Sequence, residues 1–251
     1  MKVASTSPII LLLLIFFLPL VPKAQFYKDM SIGFAPGLYI YQGDLTPQKL
    51  GSFKTPSWGI NLFAQKPINY YLAARLNISI ASLRGDDSKY ESPAWRKHRN
   101  FLFSTPLKEF SAQLVWNILG RNYDNHGLMP YLFSGAGISF VNIKKDYSRL
   151  DTAYFGENSD LTNGLARDNA VRLPRKLLSI PVGLGAEYSL SDRFSLYMET
   201  AYRFIFTDYL DGFSRSANPK KQDHYHSTSV GLIYKFGNNN TNGVGCPVLK
   251  Y

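Results

Sequence analysis

Strict alternation of apolar and polar residues over long runs is the feature that most constrains this chain. Between residues 178 and 190 every second residue is apolar or aromatic, and the positions between them are Ser, Pro, Gly or Glu. The same alternation resumes at residues 194–206, after a short polar turn, and again at residues 226–236. A period of two predicts extended strands with one apolar face. Runs of this length match the roughly 9–11 residues that a tilted strand needs to cross a bilayer.

Five further alternating runs precede these three, so that eight strands are predicted. They cover residues 31–42, 57–65, 70–83, 107–119 and 129–142. The faces of the last run are not resolved by the sequence, because Tyr131, Leu132, Phe133 and Phe140 do not sort onto one side. Short turns follow every second strand and long polar loops follow the others, which is typical of outer-membrane barrels. The predicted fold is all-β, an eight-stranded antiparallel up-and-down transmembrane β-barrel.

The alternative fold is a soluble eight-stranded barrel of the lipocalin type, in which the polar face points outward. The polar set in this chain is rich in Gly, Ala and Ser, whereas a soluble exterior would favour Lys, Glu and Thr. Small residues suit a narrow barrel interior, because they leave room for a few large polar side chains that fill it and close it to transport. Those predicted interior side chains are Arg75, Glu109, Gln113, Glu187, Glu199 and Arg203. Since unpaired buried charge is costly, they are expected to form ion pairs.

The two ends of the chain differ from the strands. Residues 1–24 are predicted to be a signal peptide, with a positive start at Lys2, an apolar run and Ala24 before the cleavage position. The barrel is predicted over residues 25–236. Residues 237–251 are rich in Asn and Gly and are predicted to form a disordered periplasmic tail, which holds the single cysteine, Cys246. The net charge of +10 favours anionic outer-membrane lipid, and not nucleic acid, as the partner of an exported chain.

Several groups of polar residues could form catalytic or metal sites, but a structural role explains each of them better. Glu187 and Glu199 could form a catalytic carboxylate pair, but an interior ion-pair network with Arg203 is favoured, because no nucleophile or cleft accompanies them. His224 and His226 share a strand face but lack further metal ligands at a suitable spacing. The chain has only two other histidines, His98 and His126, and none of the four lies beside a nucleophile in sequence.

Three other motifs are also not expected to bind a ligand. Asp208 and Asp211 lie at the start of a loop, with too few oxygen ligands for calcium. The basic run at residues 96–99 could hold glycolipid phosphate, but a solvated loop is favoured. The Gly-X-Gly pairs at residues 135–137 and 183–185 lie inside strands and are not phosphate loops. No cofactor and no metal ion are therefore predicted.

Seven segments carry a family resemblance and follow one another along most of the mature chain. They are residues 43–45, 85–87, 109–114, 130–137, 181–185, 203–211 and 232–236. In these segments the chain resembles a Bacteroidota family of outer-membrane β-barrels that includes PorG, a subunit of the type IX protein secretion machinery. The most specific segment contains Thr207, Asp208, Tyr209 and Asp211. The resemblance implies an integral barrel that anchors periplasmic secretion components, and it supplies no catalytic residue.

Two functions are therefore expected, and catalysis is the least favoured. The first is a non-enzymatic anchoring or assembly subunit in the outer membrane, with both termini in the periplasm. Its turns at residues 66–69, 120–127 and 191–193 and its tail would contact secretion-ring proteins or lipoproteins. The alternative is a surface-binding or envelope-integrity barrel that acts through its long extracellular loops, such as residues 148–172. The sequence leaves the oligomeric state open.

Overall fold

The computed structural model describes residues 29–48, 50–123, 126–219 and 222–236. The predicted signal peptide and the predicted tail at residues 237–251 lie outside the described residues. The described residues form eight long strands and one short strand, β6. The strands are β1 (Ser31–Gln42), β2 (Ser57–Pro67), β3 (Leu72–Asp86), β4 (Leu102–Asn117), β5 (Leu128–Val141), β6 (Lys144–Asp146), β7 (Lys176–Ser189), β8 (Phe194–Ile205) and β9 (His224–Lys235).

The long strands close into a barrel in which each is antiparallel to its neighbours. Every long strand pairs with the next along the chain, and β1 also pairs with β9, so no long strand is left at an edge. The short strand β6 only extends the sheet beside the far end of β4. The predicted eight-stranded antiparallel up-and-down barrel is confirmed.

The strand bounds differ from the prediction mainly in the β3–β4 hairpin. The ladder between these strands continues to the pair Asp86 and Leu102, so β4 begins five residues earlier than the predicted residue 107. The faces of β5 also become clear: Met129, Tyr131 and Phe133 point inward, while their neighbours point outward. The sequence did not resolve β5 because its inward face is aromatic here, where the other inward faces are mostly small or polar.

The barrel wall carries its apolar side chains on the outside. The exposed set includes Phe34, Leu62, Leu76, Phe110, Leu132, Leu184, Met198 and Leu232, which come from all eight long strands. The buried inward set contains Asn61, Arg75, Glu109, Glu199 and Arg203. An apolar exterior around a polar interior is expected of a wall that faces lipid, and it is the reverse of a lipocalin-type barrel.

The two ends of the barrel are unequal. The turn end holds the short connections and the first and last described residues, and the loop end holds the long connections. At the loop end, residues 43–48, 50–56, 87–101, 142–175, 206–219 and 222–223 pack together into a cap. The cap contains the short helices α1 (Trp95–Arg99), α2 (Thr152–Phe155) and α3 (Asp160–Ala170). No helix among the described residues is long and apolar enough to cross a bilayer.

The cap has an apolar core of its own, which continues into the loop end of the barrel. Leu45, Phe101, Leu165, Leu210 and Phe213 are buried there, and the rings of Phe101 and Phe213 stack with centroids 4.3 Å apart. The sequence had predicted polar loops with little apolar content. Each loop contributes only one or two fully buried apolar side chains to this core, and they meet because four separate loops bring them together.

Candidate functional site

The lumen of the barrel contains a buried ion pair between Arg75 and Glu199, which lie on opposite walls. Arg75 Nη1 is 2.5 Å from Glu199 Oε2, and the exposed fractions of the two side chains are 1% and 4%. The same carboxylate oxygen accepts a hydrogen bond from the Tyr131 hydroxyl at 3.0 Å, and Arg75 Nε donates to Gln65 at 2.9 Å. The guanidinium carbon lies 4.1 Å from the ring centroid of Phe63. Aromatic rings and hydrogen bonds thus replace the water that this charge loses on burial.

A second buried ion pair joins Glu109 and Arg203. Arg203 Nε donates to Glu109 Oε1 at 3.0 Å. The other carboxylate oxygen, Oε2, accepts hydrogen bonds from Tyr225 at 2.7 Å, from Ser179 at 3.0 Å and from Ser139 at 3.3 Å. These donors come from four different strands, so the pair cross-links the wall from inside. Because the Glu109 carboxylate has this many hydrogen-bond donors, the ion pair can stay charged in the interior without an unsatisfied carboxylate oxygen.

The other two predicted interior residues lie apart from these pairs. Glu187 is at the turn end, where its Oε1 lies 2.7 Å from Lys235 Nζ. Gln113 donates only to Ser111, at 3.0 Å. The predicted association of Glu187 and Glu199 with Arg203 is therefore wrong in its partners, because each carboxylate binds a different cation. The sequence shows which side chains face inward, but their heights in the barrel depend on the stagger of the strands.

The cap is joined to the barrel through a buried cluster around the Tyr41 hydroxyl. Its oxygen lies 2.7 Å from Asp211 Oδ2 and 2.6 Å from Asp223 Oδ1, and it accepts a hydrogen bond from the Asp44 amide at 2.9 Å. The second oxygens of the two carboxyl groups accept backbone amides, those of Phe213 at 2.8 Å and Leu210 at 3.0 Å.

The two short contacts of the Tyr41 hydroxyl need two protons. The phenol has one proton, which satisfies only one of the two short contacts, so the other requires a proton on Asp211 or Asp223. Burial raises the pKa of both carboxyl groups, and the negative charges of neighbouring carboxylates raise it further. The cluster is therefore complete when one of the two carboxyl groups is neutral.

Asp87 is a second organising carboxylate of the cap. It is fully buried and accepts hydrogen bonds from Arg96 Nη1 at 2.7 Å, from Arg99 Nε at 2.6 Å and from Arg99 Nη2 at 3.0 Å. The prediction of a solvated basic loop at residues 96–99 is thus wrong for Arg96 and Arg99, which are buried on one side of α1. The other two residues do lie outside: Lys97 is exposed, and His98 contacts Asp151 at 2.9 Å and stacks on Tyr154.

The family-motif residues all lie in the loop after β8, inside the cap. Asp211 belongs to the Tyr41 cluster, and Thr207 Oγ1 accepts the amide of Tyr209 at 3.2 Å. The Tyr209 hydroxyl donates to Asp168, whose carboxylate also accepts the amides of residues 214–216. Burial raises the pKa of Asp208 to about 7. The motif therefore fixes one loop over the barrel mouth.

Sequence reasoning missed Tyr41, Asp87, Asp168 and Asp223 as organising residues. Two of the segments that carry the family resemblance, residues 43–45 and 85–87, contain carboxylates of the cap, so the resemblance could have indicated their importance. Asp168 and Asp223 carried none, since they lie in polar stretches without periodicity. His224 accepts the Ile205 amide at 3.3 Å, while His226 contacts the Leu50 carbonyl at 2.8 Å. Within the described residues, no group of three or more His, Cys, Asp or Glu side chains is arranged to hold a metal ion.

The closed wall, the apolar exterior and the filled lumen together define the class of the protein. It is an eight-stranded β-barrel of the outer-membrane type. The chain belongs to the family described as a domain of unknown function (DUF6089), whose model matches residues 8–244. No curated protein matches the chain.

Several solved outer-membrane proteins are similar to this chain at low sequence identity. Neisserial surface protein A (NspA) is 12% identical, with a TM-score of 0.48 and coverage of 83% of this chain and 98% of that one. Ail, the attachment invasion locus protein of Yersinia pestis, solved with the heparin analogue sucrose octasulfate, is 14% identical, with a TM-score of 0.45 and coverage of 82% and 97%. The outer membrane protein OprG of Pseudomonas aeruginosa is 11% identical, with a TM-score of 0.45 and coverage of 84% and 98%.

Proposed function

We propose that this protein is a non-enzymatic outer-membrane barrel that anchors or assembles other envelope proteins, as a PorG-like subunit of the type IX secretion machinery. The observation that carries the anchoring role is the filled lumen. Two buried ion pairs and the rings around them occupy the interior where a transport path would run. A barrel whose lumen is filled in this way acts through its surfaces and its position in the membrane, and not as a channel. The secretion assignment itself rests on the resemblance of the seven sequence segments.

In this proposal the turn end faces the periplasm and carries the partner contact. Two of its turns form one surface, because the Asn122 side chain donates to the Asn69 carbonyl at 2.8 Å and the rings of Tyr70 and Tyr123 meet edge to face at 5.3 Å. Tyr71 packs beside Gly120, where an added Cβ would lie 2.6 Å from its ring. Exposed aromatic side chains on a fixed backbone are suited to binding a protein partner.

The proposal is tested by isolating the tagged barrel from detergent-solubilised outer membranes and identifying the co-purifying proteins by mass spectrometry. We expect secretion-ring proteins or lipoproteins in a fixed ratio to the wild-type barrel. The variant Tyr70→Ala/Tyr123→Ala should lose them, while Tyr154→Ala on the outer surface of the cap should retain them. A barrel that purifies alone, or equal recovery with the turn-end variant, would contradict the proposal.

A second candidate is a surface-binding or envelope-integrity barrel that acts through the cap. The observation that favours it is that the long loops form a folded unit with an apolar core, where flexible loops would suffice for an anchor. Deleting part of residues 148–172 is a poor test, because Leu165 and Asp168 are buried and their loss would unfold the cap. Substituting the exposed pair His98→Ala/Tyr154→Ala is sharper: lost surface binding or envelope integrity with unchanged co-purification would favour this candidate.

A further inference from the structure

The outer wall carries a compact set of cations where β4, β5 and β7 reach the loop end. Lys108, Phe140 and Lys176 are directly paired across these three strands. All three side chains are exposed, while their chain neighbours Glu109 and Leu177 are buried in the interior, so the row faces outward. Lys176 Nζ lies 5.7 Å from the centroid of the Phe140 ring.

This row lies at the edge of the apolar belt. The next outward row toward the turn end pairs Phe110, Ile138 and Leu178, whose exposed fractions are 49%, 44% and 66%. Successive outward positions on a strand are about 6.6 Å apart. The two lysines therefore lie one step beyond side chains that contact lipid acyl chains, at the depth of lipid headgroups.

Further cations lie directly beyond the row. A groove of about 350 Å³ adjoins the loop ends of β5 and β7, and its lining includes the exposed residues Arg172 and Arg175. Lys145 also lines it, but its Nζ donates to the Asp168 carbonyl at 3.0 Å. The groove also contains Asp168, but that carboxylate is occupied by the amides and hydroxyl of residues 214–216. Asp146, the other nearby acid, is exposed on β6 and accepts the Ser148 amide at 2.9 Å. Positive charge thus predominates where the groove meets the belt.

The strands on the opposite side of the barrel have no such row of lysines. The outward positions near the loop end on β8, β9 and β2 are occupied by Tyr202, Phe204, His224, His226 and Trp58. The described residues of β1, β2, β8 and β9 contain Lys66, Arg203 and Lys235 as their only lysines and arginines, and none of these lies on the outward face near the loop end. The loop-end groove beside β2 and β3 also contains cations, Lys54, Arg84 and Lys89, but Asp86 lines the same groove and Lys54 Nζ donates to the Lys89 carbonyl at 3.1 Å.

We propose that Lys108, Lys176, Arg172 and Arg175 bind the phosphate groups of an outer-leaflet glycolipid whose acyl chains lie along the Phe110–Ile138–Leu178 row. The lysines neutralise phosphate at the edge of the belt, and the arginines of the groove supply donors above it. The aromatic ring of Phe140 lies between the two lysines and contacts the sugar and the upper acyl carbons. The site is separate from the turn-end surface, so it does not depend on the anchoring role.

The test is native mass spectrometry of the purified, folded barrel with three probes: phosphorylated glycolipid from the outer membrane, the same lipid after enzymatic dephosphorylation, and inorganic phosphate. We expect the wild type to retain the phosphorylated lipid. Lys108→Gln/Lys176→Gln should bind it on the order of tenfold more weakly, since each cation near an anionic headgroup contributes to binding. Lys108→Arg/Lys176→Arg should retain it.

The matched control is Lys97→Gln/Arg167→Gln, which removes the same charge from exposed positions on α1 and α3 of the cap and should bind like the wild type. Heat-dependent mobility in gels checks that every variant is folded, which is expected because the substituted side chains point outward. Equal loss in the control, unchanged binding by the Lys108 and Lys176 variant, or equal retention of the dephosphorylated lipid would each overturn the proposal. Inorganic phosphate bound as tightly as the lipid would also overturn it, by assigning the site to free phosphate.

Discussion

Arg203 Nε lies 3.0 Å from Glu109 Oε1 in the lumen, and the exposed fractions of the two side chains are 2% and 0%. The two residues belong to β8 and β4, which are not neighbours in the barrel. Their contact therefore crosses the interior and holds the two walls at one separation. Together with the pair of Arg75 and Glu199, it closes the lumen and fixes its shape.

Removing one member of this pair should destabilise the barrel strongly. Glu109→Gln leaves the Arg203 charge buried without its counter-ion, and we expect a loss of about 3–5 kcal/mol in the free energy of unfolding. Urea titration of the barrel in lipid vesicles measures it. The double variant Glu109→Leu/Arg203→Leu should be less destabilised than Glu109→Gln, and Gln113→Ala should change little because Gln113 makes a single side-chain hydrogen bond. A double variant that is worse than the single one would contradict the pairing.

Asp87 should matter for the cap and not for the barrel. In Asp87→Ala the guanidinium groups of Arg96 and Arg99 lose their counter-ion while buried, so the segment containing α1 should open. Limited proteolysis should then cut within residues 87–101, whereas heat-dependent gel mobility should still report a closed barrel. Asp151→Asn is the control, because it keeps an acceptor for the Tyr154 amide and weakens only the exposed contact with His98, which adds little stability. Equal proteolysis of both variants would contradict the role given to Asp87.

The cap should be more stable at mildly acidic pH than above neutral pH. Burial raises the pKa of Asp208 to about 7 from an ordinary value of 3.8, and it raises the pKa of Asp211 and Asp223 in the same direction. Because the folded cap holds these protons more tightly than the unfolded chain, the stability that these three groups contribute is complete below about pH 4 and is lost as the pH rises through about 7. Despite its burial, the pKa of Asp168 is lowered by its hydrogen bonds, so its contribution is lost only in stronger acid.

Limited proteolysis at pH 5 and at pH 8.5, with a protease active at both, measures this effect. We expect faster cutting of the cap at the higher pH. Asp211→Asn mimics the neutral carboxyl group and retains an acceptor for the Phe213 amide, so it should flatten the pH dependence. An exposed substitution, Asp151→Asn, should leave the dependence unchanged. A cap that resists proteolysis better at pH 8.5 than at pH 5 would contradict the predicted direction of the pH dependence.

Gly231 should be required for closure of the barrel between β9 and β1. A Cβ at this position would lie 2.0 Å from the Phe34 carbonyl oxygen, which belongs to the backbone of the neighbouring strand and cannot rotate away. We expect Gly231→Ala to reduce the yield of folded barrel in refolding assays, while Ser229→Ala on the same face should refold nearly normally. Equal yields would mean that the strands can separate locally at little cost.

The barrel could be predicted from the sequence because successive residues of a strand face opposite sides of the wall, so their polarity indicates which side faces lipid and which faces the interior. The outward face of β8 reads Phe194, Leu196, Met198, and the structure exposes each of them. Likewise, the inward position of Arg203 follows from its place in the alternation. The partner of Arg203 does not, since contact between β8 and β4 depends on strand tilt and stagger, which no single strand encodes.

The cap could not be predicted for a different reason. Its core and its carboxylate clusters join residues far apart in sequence, such as Tyr41 with Asp223 and Asp168 with Ser216. The loops supply these side chains without a period, so their sequence pattern resembles that of a solvated loop. The basic run at residues 96–99 was misjudged for this reason, because only the tertiary fold brings Asp87 against Arg96 and Arg99.

By itself, then, the sequence determined the number of long strands, the inward and outward faces of all of them except β5, and the closed, polar interior, because a repeated local pattern is enough to specify a wall. Only the tertiary structure decided which charges pair across the lumen, that the long loops form a folded cap, and that cations from three strands and a loop meet at one edge of the apolar belt. Those features depend on distances between segments that are remote in sequence, and burial of their charges is stable only when all the partners are present.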